Sequence, residues 1–125
     1  MLFDTDILIW VQRGNEKAAH LIDKTPDRFI SMQTYMELFQ SAKNKEQHRF
    51  VKNFLSEAGF ITLPLTENIG HRASIYIEEY TLKDGIQVGD AIIAATAVEN
   101  NLPLVSGNQK HFKSIKDLNF KVFRP

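Results

Sequence analysis

Three acidic residues sit where acids are unusual. Asp4 follows the apolar start Met1-Leu2-Phe3, Glu37 falls within Thr34-Tyr35-Met36-Glu37-Leu38, and Asp90 opens Asp90-Ala91-Ile92-Ile93-Ala94-Ala95-Thr96-Ala97-Val98. A helix as apolar as the last must be buried nearly all round. Ile93, Ala94, Ala97 and Val98, at i+3, i+4, i+7 and i+8, put Asp90 at one end of an apolar stripe. A lone buried carboxylate is expensive unless it is paired, neutralised or bound to a metal. The plainer alternative is that Asp90, just after Gly89, caps the helix N-terminus. Asp4 either bonds the free amides of the next helix or joins a site. Glu37 is either solvated or shares that site, on a helix whose apolar face reads as Met32, Tyr35, Met36 and Phe39, with Thr34 on its own side at i−3. Carboxylates gathered at one place repel, raise one another's pKa and call for a cation. All-oxygen ligands select a hard ion, Mg²⁺ or Mn²⁺, which lowers the pKa of bound water and clamps phosphodiester oxygens during displacement.

The elements that must position these acids alternate. Met1–Phe3 reads as a first strand, with a helix starting near Ile7 and ending near Gly14. Asn15 caps a helix over 16–24, and Phe29-Ile30 is a second strand. Ser31 caps a helix running to about Ala42. Phe50, Phe54 and Leu55 mark a helix over 46–58 closed by Gly59. A third strand covers 60–63, a helix 67–80, a helix 88–100, a fourth strand Leu104-Val105 and a fifth 120–123. Short apolar strands separated by helices predict a three-layer α/β/α sandwich around a parallel, roughly five-stranded sheet. In such sheets ligands bind beyond the carboxyl ends of the strands. Asp4, Thr5 and Asp6 follow strand one, Ser31, Thr34 and Glu37 follow strand two, and Ser106 and Asn108 follow strand four. The third strand runs into apolar Leu63-Pro64-Leu65, so the polar junctions are selective.

With 125 residues, 43% hydrophobic and 24% charged, the chain fits one globular domain, 1–125. Fifteen Lys and Arg balance fifteen Asp and Glu, so no net charge argues for a nucleic-acid partner. Charge is uneven, however. Lys110, Lys113, Lys116, Lys121 and Arg124 face only Asp117 near the end, and Lys43, Lys45, His48, Arg49 and Lys52 form a second basic stretch around Glu46. The absence of cysteine excludes a disulfide scaffold and a thiolate metal site and suits a reducing compartment. No apolar run approaches the ~18 residues of a membrane span and no leader pattern opens the chain, so a cytoplasmic protein away from membranes is expected.

The motifs quoted above, together with Asp4-Thr5-Asp6-Ile7-Leu8-Ile9 and Leu104-Val105-Ser106-Gly107-Asn108, resemble the PIN-domain family and within it the VapC-type toxins, in order and spacing along nearly the whole chain. The resemblance implies a Mg²⁺- or Mn²⁺-dependent endoribonuclease that cleaves RNA by metal-activated water. It further implies a homodimer held in check by a small antitoxin protein. Asp4, Glu37 and Asp90 would surround the metal, with Thr5 or Ser106 positioning water or phosphate. The family often carries a fourth acid at the place of Asn108 or three residues later, at His111; neither is anionic here. That departure is expected to weaken metal affinity, although the Asn108 amide can still orient a metal-bound water or Asp4.

Several neighbours carry two readings. Asp6 either supports the metal ligands or caps the helix at Ile7, and His111 is either a surface or partly packed residue or a phosphate contact or proton donor. Trp10 and Phe39 read as core. Arg13, Lys43, Lys45, Arg49 and Lys110 are solvated cations or phosphate contacts, which position RNA without reading its sequence. Two other functions compete. A receiver-type signalling domain needs an Asp after the third strand, where Leu63-Pro64 stands. A catalytically inactive PIN-like module that binds nucleic acid or protein is compatible with the neutral Asn108 and His111.

Overall fold

The computed structural model describes residues 1–125. Five parallel strands run in the order β3-β2-β1-β4-β5. They are β1 (Leu2–Phe3), β2 (Phe29–Ser31), β3 (Ile61–Leu63), β4 (Leu104–Ser106) and β5 (Phe120–Val122). The helices are α1 (Thr5–Gln12), α2 (Glu16–Lys24), α3 (Met32–Ser41), α4 (Lys45–Glu57), α5 (Glu67–Asp84), α6 (Val88–Glu99) and α7 (Gln109–Phe112). The central strand is the shortest: Leu2 pairs with both Phe29 and Leu104, and Phe3 with Val105.

Side-chain alternation along a strand separates two cores. Leu2 and Leu104 point into one, with Ile69, Ala73 and Tyr76 of α5 and Ala91, Ala94 and Ala95 of α6. Phe3, Ile30 and Val105 point into the other, against Ile7 and Leu8 of α1, Ile22 of α2, Leu38 of α3 and Val51 and Leu55 of α4. Every one of these residues is at most 7% exposed. Helices cover both faces of the sheet, so the expected sandwich holds. The alanines of α6 give it little girth, and Ala91, Ile93, Ala94, Ala95, Thr96 and Ala97 are all buried, as its apolar sequence requires.

The local signals mostly act as expected. Asn15 and Ser31 each accept a backbone N–H at the head of the following helix. Gly59, just past α4, holds φ +70°. Four details differ. Helix α1 begins at Thr5, because Asp4 rather than Asp6 is its cap. Helix α5 continues past Tyr80 to Asp84 and stops at Gly85, φ +71°. On α4 the buried pair is Val51 and Leu55, while Phe50 is 56% exposed and stacks on Phe54. The single turn α7 gave no periodic signal to read. No helix is long and apolar enough to cross a membrane.

Candidate metal and phosphodiester site

The carboxyl ends of β2, β1 and β4, side by side in the sheet, meet the N-terminal turns of α1, α3 and α6. Asp4 is 6% exposed and held from two sides: the Thr5 backbone N–H donates to Oδ1 at 2.7 Å, and the Ser106 hydroxyl donates to Oδ2 at 2.6 Å. Burial, and next the negative charge of Asp6, push the Asp4 carboxyl up to about 7, with Asp90 adding to the effect and the Ser106 and Thr5 bonds opposing it. Asp6 is also raised, chiefly by burial and further by Asp90, against the Gly107 N–H that donates to its Oδ2 at 2.9 Å. Its other oxygen, Oδ1, is buried with no partner. Asp6 is therefore a member of the acidic pocket, and its expected capping role belongs to Asp4.

Two chains of hydrogen bonds tie the outer acids to this centre. Thr5 Oγ1 lies 2.8 Å from Glu37 Oε1 and 2.9 Å from Thr34 Oγ1. A hydroxyl has one proton, so donation to the Glu37 carboxylate leaves Thr5 to accept from Thr34. Thr34, fully buried, is in turn 3.2 Å from the Ser31 hydroxyl. Thr5 thus fastens Asp4 through its N–H and Glu37 through its hydroxyl. Glu37 can reach this point because Thr34 and Leu38 form the buried face of α3. Met36, expected in that face, is 47% exposed.

Asp90 is not the cap of α6. It stands at the third helical position and its Oδ2 accepts from the backbone N–H of Gln87, the residue before the helix, at 3.3 Å. The same oxygen is 2.7 Å from His111 Nδ1, and the Asn108 side-chain amide is 2.9 Å from that nitrogen. Asn108 also donates its backbone N–H to Ser106 Oγ at 3.0 Å. A continuous path therefore runs from Asp90 through His111, Asn108 and Ser106 to Asp4. His111 is partly packed, one of the readings its sequence allowed, with its side chain 22% exposed, and it meets Asp90, a contact the sequence did not indicate. The available signal was its place three residues after Asn108, where the resemblance expects an acid.

Two glycines allow the close approach. A Cβ on Gly107 would lie 3.0 Å from Asp6 Oδ2 and 3.3 Å from the Phe123 carbonyl. One on Gly89 would lie 3.1 Å from Gln33 Nε2 and 3.7 Å from Glu37 Oε2. Trp10 and Phe39 are partly buried against the second core, as expected. Arg13, Lys43, Lys45, Arg49 and Lys110 are all exposed, and the Arg13 guanidinium sits 5.9 Å from the Trp10 ring centre.

As the side chains rest, no three His, Asp or Glu residues stand close enough to hold one metal ion together. The donor chemistry nevertheless fits a hard cation. The pocket offers carboxylate oxygens, one buried Asp6 oxygen lacks any donor, and the burial and neighbouring negative charge that raise Asp4 and Asp6 are what a divalent charge offsets.

Solved structures with this arrangement of elements include a toxin–antitoxin complex from Klebsiella pneumoniae, 32% identical over 94% of this chain and 93% of that one, with a TM-score of 0.80. VapBC-1 from nontypeable Haemophilus influenzae is 25% identical over 97% and 96%, TM-score 0.77. DNA-bound VapBC from Salmonella typhimurium is 21% identical over the same shares, TM-score 0.81, and speaks to the fold alone. No curated protein matches. The family model of the PIN domain covers residues 1–118, which contain every acid of the pocket, and the chain belongs to the PIN-domain family.

Proposed function

We propose that this chain is a metal-dependent endoribonuclease that cleaves RNA phosphodiesters, acting in the cytoplasm as the toxin of a toxin–antitoxin pair. The observation that carries the reading is Asp4: a nearly buried carboxyl, beside Asp6 and Asp90, whose burial and neighbouring charge oppose its ionisation. Membership of a family of nucleases and the 32% identity to the toxin–antitoxin complex support it. In this reading Asp4 and Asp90, with Glu37, hold Mg²⁺ or Mn²⁺. Bound there, the ion supplies a positive charge that activates water and neutralises the phosphodiester.

The chain's own residues do the rest. Ser106 fixes the Asp4 carboxylate by its hydroxyl, Thr5 and Thr34 hold Glu37 toward the centre, and Asp6 adds negative charge without a second donor. Arg13, Lys43, Lys45, Arg49 and Lys110 neutralise backbone phosphates of the RNA as it crosses the site. An antitoxin segment closes the acidic cleft when the toxin is silent. A second copy of the chain covers the apolar groove between α5 and α6, where exposed Leu65 and Val88 overhang Ala73, Ile77, Ala91 and Ile92. Val88 lies two residues from Asp90, so that homodimer would border the site.

A second reading, an inactive module that binds nucleic acid or protein, is favoured by two observations: His111 already engages Asp90 Oδ2, and no acid trio is assembled. One assay separates the two. Full-length protein freed of any partner is expected to cleave RNA with Mg²⁺ or Mn²⁺, to stop with chelator, and to lose cleavage in Asp4→Asn and Asp90→Asn while both stay folded. Wild-type protein that binds RNA but leaves it intact across both metal titrations establishes the inactive module instead.

A further inference from the structure

The Asp90–His111–Asn108 contact poses a hydrogen-bonding problem whose solution is informative. His111 Nδ1 is 2.7 Å from a carboxylate oxygen, Asp90 Oδ2, and 2.9 Å from the Asn108 side-chain amide. A lone pair on Nδ1 facing a carboxylate would repel it, so Nδ1 must carry the proton. An Asn NH₂ facing that N–H would then oppose donor to donor. The amide oxygen and nitrogen of Asn108 are therefore interchanged, Oδ1 facing Nδ1. The Nδ1–H is shared between Asp90 Oδ2 and Asn108 Oδ1, and Nε2 is directed toward the backbone at Gly85, whose Cβ position is 4.0 Å away.

This arrangement divides Asp90 into two functional halves. Oδ2 is saturated: it accepts from His111 and from the Gln87 backbone N–H. Oδ1, which takes part in neither bond, is the oxygen left for a ligand. Asn108 is itself anchored, since its backbone N–H donates to Ser106, which donates to Asp4. The imidazole is thus built into the same frame as the pocket's central acid, on the short turn α7, whose next residue Phe112 is fully buried.

We infer that His111 is a positioning residue that fixes Asp90 through its Nδ1–H and gives the site capacity for one divalent ion. The inference rests on the metal-dependent reading above and adds to it. The groups that flank Asp90 Oδ2, His111 and Asn108, offer no carboxylate to a second ion. Outer groups that orient a metal ligand typically change metal affinity by about 10–100-fold when removed. An asparagine at this position places an amide N–H where Nδ1 now stands, whereas alanine places nothing.

The test is Mn²⁺ binding to the full-length chain, followed by loss of the free-ion paramagnetic resonance signal, for wild type, His111→Ala and His111→Asn, with circular dichroism to confirm folding. Wild type is expected to take up one Mn²⁺, His111→Ala to bind it about 10–100-fold more weakly, and His111→Asn to recover affinity near that of wild type. Two ions on wild type, unchanged or tighter binding by His111→Ala, or an Asn variant as weak as the Ala variant overturns the proposal while the metal-dependent reading stands. No Mn²⁺ uptake by wild type removes that reading, and the proposal with it. If His111→Ala fails to fold, the stoichiometry of wild type and the affinity of His111→Asn decide.

Discussion

Ser106 Oγ donates to Asp4 Oδ2 at 2.6 Å, joining two residues 102 positions apart at the ends of adjacent strands β1 and β4. Both are buried, Ser106 completely. The bond is one of only two direct donors that offset the cost of holding a carboxylate there.

Ser106→Ala should therefore destabilise the metal-free protein at pH 8, above the Asp4 value of about 7, by about 1–3 kcal/mol, the cost of stranding a buried acceptor. Below pH 4, where Asp4 is protonated in both states, most of that loss should disappear. Urea unfolding at the two pH values measures it. An equal loss at both would mean that Ser106 matters through packing and not through the charge on Asp4.

Thr5→Val keeps the shape of the side chain and the backbone N–H to Asp4, but removes the hydroxyl that holds Glu37. Stability should fall by about 1 kcal/mol, while RNA cleavage falls by a larger factor, because Glu37 is no longer held toward Asp4. Comparing the rate with that of Glu37→Gln checks the assignment. A Thr5→Val enzyme of unaltered rate would place Glu37 outside the reaction.

The pH dependence of folding follows from Asp4. Its folded pKa of about 7 lies above the 3.8 of an unperturbed Asp, so the folded state holds the proton more tightly than the unfolded chain does. The stability this contributes is fully present below about pH 4 and is lost as pH rises through 7. Each unit of separation is worth about 1.4 kcal/mol. Metal-free wild type should thus weaken over that window relative to Asp4→Asn, which keeps a good helix cap and lacks the charge. Parallel stability profiles for the two proteins would remove the buried charge from the account.

What the sequence disclosed and what it withheld differ for physical reasons. The sandwich was legible because Leu2 and Phe3, and Leu104 and Val105, are apolar pairs that must bury both faces, and because the apolar run from Ala91 to Val98 has only one place to go. That Asp4, Glu37 and Asp90 lie toward one end of the sheet followed from their places after strands and at a helix start, whereas Asp6, readable as a cap, joins Asp4 in the pocket. The roles within the pocket did not. Asp4 and Asp6 are both able to cap α1, and only the three-dimensional course of Gly107 past Asp6 decides between them. Asp90 looks like a cap in sequence, but Gln87 opens the helix first. His111 depends on α7, a single turn too short for any periodicity, to carry it back to Asp90. On α3 and α4, Met36 and Phe50 show that an apolar residue one step off the buried stripe is left in solvent.

The most direct test of the central claim, that the carboxylates around Asp4 repel until a divalent cation joins them, is thermal unfolding of wild type and Asp4→Asn at pH 8, each in EDTA and in saturating Mn²⁺. Wild type should melt below Asp4→Asn in EDTA and rise with Mn²⁺, gaining about 2.7 kcal/mol when the ion is at 100 times its Kd. Asp4→Asn should gain far less. A wild type that is already the more stable protein in EDTA and does not respond to Mn²⁺ contradicts the account.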